Sequence, residues 1–215
     1  MTLTSRRFVA LGLVCLVLAA TILLLMPLEK TLGQVIKIVY LHGALSRAGM
    51  IGLVGAGITG VLFLVTRRPS LAAWTRGLLL SGWVFWVAHF IVSMPATRLT
   101  WGPWIAWGEP RVTMTLQLMA AGLVVLLISW LVKDDRFTAA AAALLALAVA
   151  WLAFATGVIR HPLDPIGSSP SITLQLIYLA LLVPVLGGMV LVAWWLANRA
   201  HPEGAVSGRA VHETR

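Results

Sequence analysis

Six apolar runs, at residues 8–28, 38–65, 77–94, 112–132, 138–159 and 172–197, limit what this chain can fold into more than any other feature. Each is close to the roughly 20 residues that cross the hydrocarbon core of a bilayer. Hydrocarbon offers no water to backbone N–H and C=O groups, so each run is expected as a helix that satisfies its own hydrogen bonds. Composition agrees: 60% of the residues are hydrophobic and 11% charged, against about 25% charged in an ordinary soluble domain. The expected fold is all-α, a polytopic membrane protein with six transmembrane helices in one domain over 1–197. A polar tail, 198–215, is expected to be disordered.

Local features refine this picture. The first run follows Arg6 and Arg7, as a signal peptide would, but it is long for an h-region and no A-x-A site follows, so a retained helix is expected. The second run holds Gly49, Gly52, Gly55, Gly57 and Gly60, small faces suited to close helix packing. Segment 66–76 (TRRPSLAAWTR) reads as a basic connector. The single cysteine, Cys15, rules out a disulfide framework and reads as a small buried hydrophobe.

The net charge of +9 and pI near 11.3 would suit a nucleic-acid binder, but the basic residues lie between apolar runs, where they report orientation. Ten of them (Arg6, Arg7, Arg67, Arg68, Arg76, Lys133, Arg136, Arg199, Arg209 and Arg215) fall on the N-terminal side of an alternating six-span path. Five (Lys30, Lys37, Arg98, Arg111 and Arg160) fall on the other. Both termini are therefore expected in the cytoplasm, and the segments 98–111 and 160–170 outside it.

Segment 98–111 (RLTWGPWIAWGEPR) carries Trp101, Trp104 and Trp107 at a spacing of three, which keeps the indoles on one side if the segment coils into helical turns. Pro103 and Pro110 discourage a long regular helix there. A stiff aromatic shelf at the membrane surface is expected. His42, His89 and His161 all fall toward the same side, His89 roughly 8 Å inside its run at 1.5 Å per residue. His201 and His212 lie in the tail. Simpler roles exist: tryptophans gather at membrane interfaces without any ligand, and a histidine at a helix end can bond a carbonyl. A histidine within a span is costlier to bury and more often functional.

Zinc would need further ligands beyond Glu109 and Asp164, with no i, i+4 histidine pair to help. Copper would be expected to recruit Met or Cys. Heme suits the residue types better: imidazoles ligate its iron, indoles stack on its ring and cations meet its propionates. Arg98, Arg111, Arg160 and Lys37 are the outer cations, and Arg47 can reach the surface by snorkelling or serve as a polar helix contact.

WGPWIAWGEPR resembles the tryptophan-rich WWD motif of the heme-handling cytochrome c assembly proteins. IVYLHGALSRAGM is similar to that family's segment around its first external histidine, and IRHPLDP occupies the place of the second. The six-span size resembles the CcmC-type members, and the likeness covers roughly 35–197. Two positions depart from the motif: Ile105 stands for a tryptophan, and Gly108 for an aspartate, with Glu109 one residue later.

The resemblance implies that His42 and His161 are axial ligands of a non-covalent, transferable b-type heme. Trp101, Gly102, Trp104 and Trp107 would form the platform beneath it, and Arg111 matches the arginine after the motif. It implies heme delivery for cytochrome c maturation at the outer face of the cytoplasmic membrane, without catalysis of a bond. Expected partners are a heme chaperone or apocytochrome c and an ABC-type transporter complex, with no nucleic acid. The rival is a heme-anchoring subunit of a respiratory electron-transfer complex that uses His89 with one other histidine. A transporter fits less well, because no repeat is visible.

Overall fold

A computed structural model describes residues 3–159, 166–167 and 169–199. It contains six helices: α1 (Leu3–Leu25), α2 (Val35–Thr66), α3 (Pro69–Trp101), α4 (Pro110–Val132), α5 (Asp135–Ala155) and α6 (Ile172–Arg199). All six are long and apolar enough to cross a membrane. The chain is a multi-pass, all-helical membrane protein.

Several boundaries differ from those the sequence suggested. The connector expected at 66–76 shrinks to Arg67 and Arg68. Arg67 closes α2 in a left-handed conformation, φ 57°, with its N–H on the Phe63 carbonyl at 2.8 Å. Pro69 then opens α3 at the first helical position, where its missing N–H costs nothing. The tryptophan segment is likewise shorter than expected. Residues 98–101 form the last turn of α3, Pro110 and Arg111 begin α4, and only 102–109 is loop. Helix α5 starts earlier than 138, because the Asp134 side chain caps it, accepting from Arg136 N at 2.7 Å and Phe137 N at 2.9 Å. It ends at Ala155, short of 159.

Helices α2 and α3, with 32 and 33 residues, are about 48–50 Å long at 1.5 Å per residue. That exceeds the roughly 30 Å hydrocarbon core, so they tilt or stand beyond it. A two-residue turn makes them a helical hairpin, in which positions about equally far from the turn lie level. Glycine permits the close approach. A Cβ on Gly49 would sit 2.8 Å from the Trp86 backbone nitrogen, and one on Gly82 would sit 2.7 Å from the Leu53 nitrogen. Gly57 and Gly60 face Ala146 and the Ala139 carbonyl of α5 in the same way.

One core cluster joins α2 and α6 through Tyr40, Ala44, Leu181 and Met189, and another joins α2, α3, α4 and α5 through Leu53, Trp86, Leu118 and Val149. Helix α1 packs chiefly on α6, where Phe8 stacks on Trp195 with ring centroids 4.9 Å apart.

Candidate ligand cavity

The hairpin that closes tightly over glycines at its middle opens toward the end bearing the tryptophan loop. There α2, α3 and α4 surround a cavity of about 640 Å³. Its wall carries imidazoles (His42, His89), indoles (Trp86, Trp101) and guanidiniums (Arg47, Arg111). Small-molecule and cofactor sites occupy roughly 300–1,000 Å³. Trp86 Nε1 donates to the Thr115 carbonyl at 3.3 Å, and Trp83 Nε1 to that of Met119 at 2.9 Å. These bonds satisfy two indoles inside the bilayer and tie α3 to α4 along one side of the cavity.

His42 and His89 meet directly across the α2–α3 hairpin. Their Nδ1 atoms are 3.0 Å apart, and the ring centroids 4.4 Å apart at 34°. Nδ1 of His42 also lies 3.3 Å from the His89 backbone carbonyl. His89 is 7% exposed and packs against Trp86, centroids 4.9 Å apart.

The carbonyl oxygen can only accept, so the 3.3 Å contact is a hydrogen bond in the tautomer of His42 that carries its hydrogen on Nδ1. That one N–H serves both the carbonyl and Nδ1 of His89. In neutral rings, His42 then keeps its lone pair on Nε2, while His89 accepts at Nδ1 and carries its hydrogen on Nε2. The direct pairing is not evident from the sequence if 66–76 is taken as an eleven-residue connector; a two-residue turn at Arg67 and Arg68 brings the two histidines to within about one helical turn of the same level.

The tryptophans separate into two kinds. Trp101 ends α3 and lines the cavity, whereas Trp104 and Trp107 are 57% and 69% exposed. Residues 102–109 are bends and turns rather than helix, so the three-residue spacing does not align the indoles. Gly102 takes φ 96°, a left-handed conformation that glycine adopts without strain, and its carbonyl accepts from Arg98 Nη1. Arg98 thus sits at the C-terminus of α3, where a cation favours the helix dipole.

Glu109 is only 2% exposed. It precedes α4 but does not cap that helix; both carboxylate oxygens face Ile159 N, at 3.2 and 3.3 Å. Glu109 lines the cavity and so holds the segment just after α5 to its rim. Arg111, in the first turn of α4, lines it too, and its Nε is buried without a hydrogen-bond partner among the described residues. A buried guanidinium N–H left unmade is costly, so this atom suits an anionic ligand. Arg160 and His161 lie outside the described residues, as does Asp164. Among the described residues, no three His, Cys, Asp or Glu side chains gather as a metal site would need.

The chain matches no protein-family model and no curated protein.

Proposed function

We propose that this protein binds heme in the α2–α3–α4 cavity and presents it at the outer face of the cytoplasmic membrane for cytochrome c maturation. The observation that carries this reading is the combination, in one cavity of about 640 Å³, of two imidazoles, two indoles and a guanidinium N–H without a hydrogen-bond partner among the described residues. Bound heme would supply an iron centre that takes axial nitrogen ligands and two propionates that take cations.

On this reading His42 and His161 would hold the iron. Ile159, two residues before His161, is held at Glu109, and Ile166 lines the cavity, so described chain on both sides of 160–165 abuts the site. Arg111 and Arg47 neutralise carboxylates, with Arg160 as a further cation. Trp101 packs on the ring, and Gly102 lets the chain turn away from it. Trp104 and Trp107, exposed at the same end, form a surface over which heme passes to a chaperone or apocytochrome c. The excess of basic residues on the opposite side of the spans supports an outer location for this end, and an ABC-type transporter is the expected source of associated subunits. The role is delivery, with no bond made or broken by the protein.

The rival, a permanent respiratory heme held by His89, gains little from the geometry. The Nδ1 atoms of His42 and His89 stand 3.0 Å apart and face each other, so these two nitrogens leave no room for a metal between them.

The test is an oxidised and reduced absorption spectrum of protein purified after heme is supplied during expression. A Soret band that weakens or shifts in both His42→Ala and His161→Ala is expected. No band in the wild type would overturn the reading and leave the tryptophans as an interfacial belt.

A further inference from the structure

The geometry points to His89 as a positioning residue: by accepting the Nδ1 hydrogen of His42, it holds that imidazole in the tautomer whose Nε2 lone pair can ligate. The inference rests on the heme-binding reading for its purpose, but its structural content concerns the ligand-free protein.

Free neutral histidine side chains prefer the hydrogen on Nε2, which would leave the lone pair on Nδ1. At His42 that form would set a lone pair against the His89 carbonyl at 3.3 Å and, unless His89 donated, against its Nδ1 at 3.0 Å. The Nδ1–H form converts both contacts into acceptances. The hairpin supplies the rigidity. His89 is almost fully buried against Trp86, whose indole is anchored to α4, and Trp86 packs at the backbone of Gly49, two turns along α2 from His42. A metal-binding imidazole commonly donates its second nitrogen to an outer partner that fixes its tautomer and raises its basicity. Here a second histidine and its own carbonyl take that part.

The arrangement has a chemical consequence. His89 accepts at Nδ1 and carries hydrogen on Nε2, so it offers the metal no lone pair while the pair is intact. The cavity presents one ligand from the hairpin, not two, and a second must come from outside it. A one-sided ligand set suits a cofactor that has to leave.

The experiment is ¹⁵N NMR of histidine-labelled full-length protein in lipid nanodiscs, without heme, at a pH where the imidazoles are neutral. The His42 signals are assigned by their loss in His42→Ala. The expected wild-type pattern is a protonated Nδ1 and an unprotonated Nε2 at His42, with the reverse at His89. In His89→Leu the carbonyl of residue 89 remains, so His42 is expected to become a mixture of tautomers; His89→Gln, whose amide oxygen can accept, should restore the wild-type pattern. Heme affinity should fall by about 10–100-fold in the Leu variant, the usual effect of losing such a partner, and recover in the Gln variant. An unprotonated Nδ1 at His42 in the wild type overturns the inference, and so does an unchanged tautomer in His89→Leu. A wild type with the expected tautomers that binds no heme overturns the functional reading instead, so the two failures are distinguishable.

Discussion

The two halves of α2 treat the same neighbour in opposite ways. At Gly49 and Gly52 the helix lies so close to α3 that a single methyl group would meet backbone. Before Gly49 it carries His42, Ser46 and Arg47 on a wall that leaves about 640 Å³ open. The lesson is that close contact and clearance belong to one device. Small residues fix the separation and register of the hairpin at its middle, and larger polar side chains hold the space beyond it. A tightly registered hairpin can place two imidazole nitrogens 3.0 Å apart; a loose one cannot.

Breaking the tight half should have the largest effect. Gly82→Leu places its side chain where even a Cβ would sit 2.7 Å from the Leu53 nitrogen and 2.8 Å from the Gly52 carbonyl carbon. Loss of the folded bundle is expected, read as loss of a cooperative melt in detergent. Gly82→Ala should destabilise by about 1–3 kcal/mol, the usual range for overpacking. A native melt in Gly82→Leu would mean the hairpin is not held by this contact.

In the open half, His42→Ala should remove heme binding while leaving the melting temperature nearly unchanged. Equal losses of stability and binding would show instead that the cavity wall is structural.

Arg111→Ala sharpens the picture of the cavity's anionic end. Hydrogen bonds to charged groups contribute about 1.5–3 kcal/mol, so affinity for heme should drop roughly 10- to 150-fold. Affinity for the heme dimethyl ester, which has no carboxylates, should hardly change; equal loss for both compounds would assign Arg111 to packing.

Trp104→Phe and Trp107→Phe should alter heme affinity by no more than about 0.5 kcal/mol, as for exposed positions generally, whereas Trp101→Ala should weaken it clearly in the same titration. Transfer to an apocytochrome is where the two exposed indoles are expected to count.

The smallest effect concerns the opposite end. Backbone N–H groups of Phe137 and Arg136 hold the Asp134 carboxyl below the usual carboxylate range. A depressed pKa in the folded state stabilises above the unfolded value, and that contribution is lost as pH falls through the folded one. The stability difference between wild type and Asp134→Ala should therefore be present at neutral pH and shrink in acid, measured by thermal melts at both. A difference independent of pH would mean that Asp134 carries no charge-dependent role.

Hydrophobicity alone determined the six spans, because burying a bare backbone in lipid leaves the helix as the only local solution for runs of that length and composition. The tryptophans and the arginine at 111 were legible as a polar, aromatic end of the bundle for a related reason: residues of that kind between apolar runs must lie near the membrane surface. Local chemistry was legible only in part. Pro69 and Pro110 open helices as their missing N–H allows, yet the stretch 66–76 reads as a basic connector, and α3 runs through most of it because a helix long enough to leave the hydrocarbon can carry charges beyond it.

Tertiary structure alone decided the rest. That His42 lies against His89, that Trp101 faces inward while Trp104 and Trp107 do not, and that Glu109 holds Ile159 are all consequences of register between helices. Register is set by contacts between glycines and backbone far along the chain, such as Gly52 with Gly82, and not by any property of the histidines, the tryptophans or the glutamate themselves.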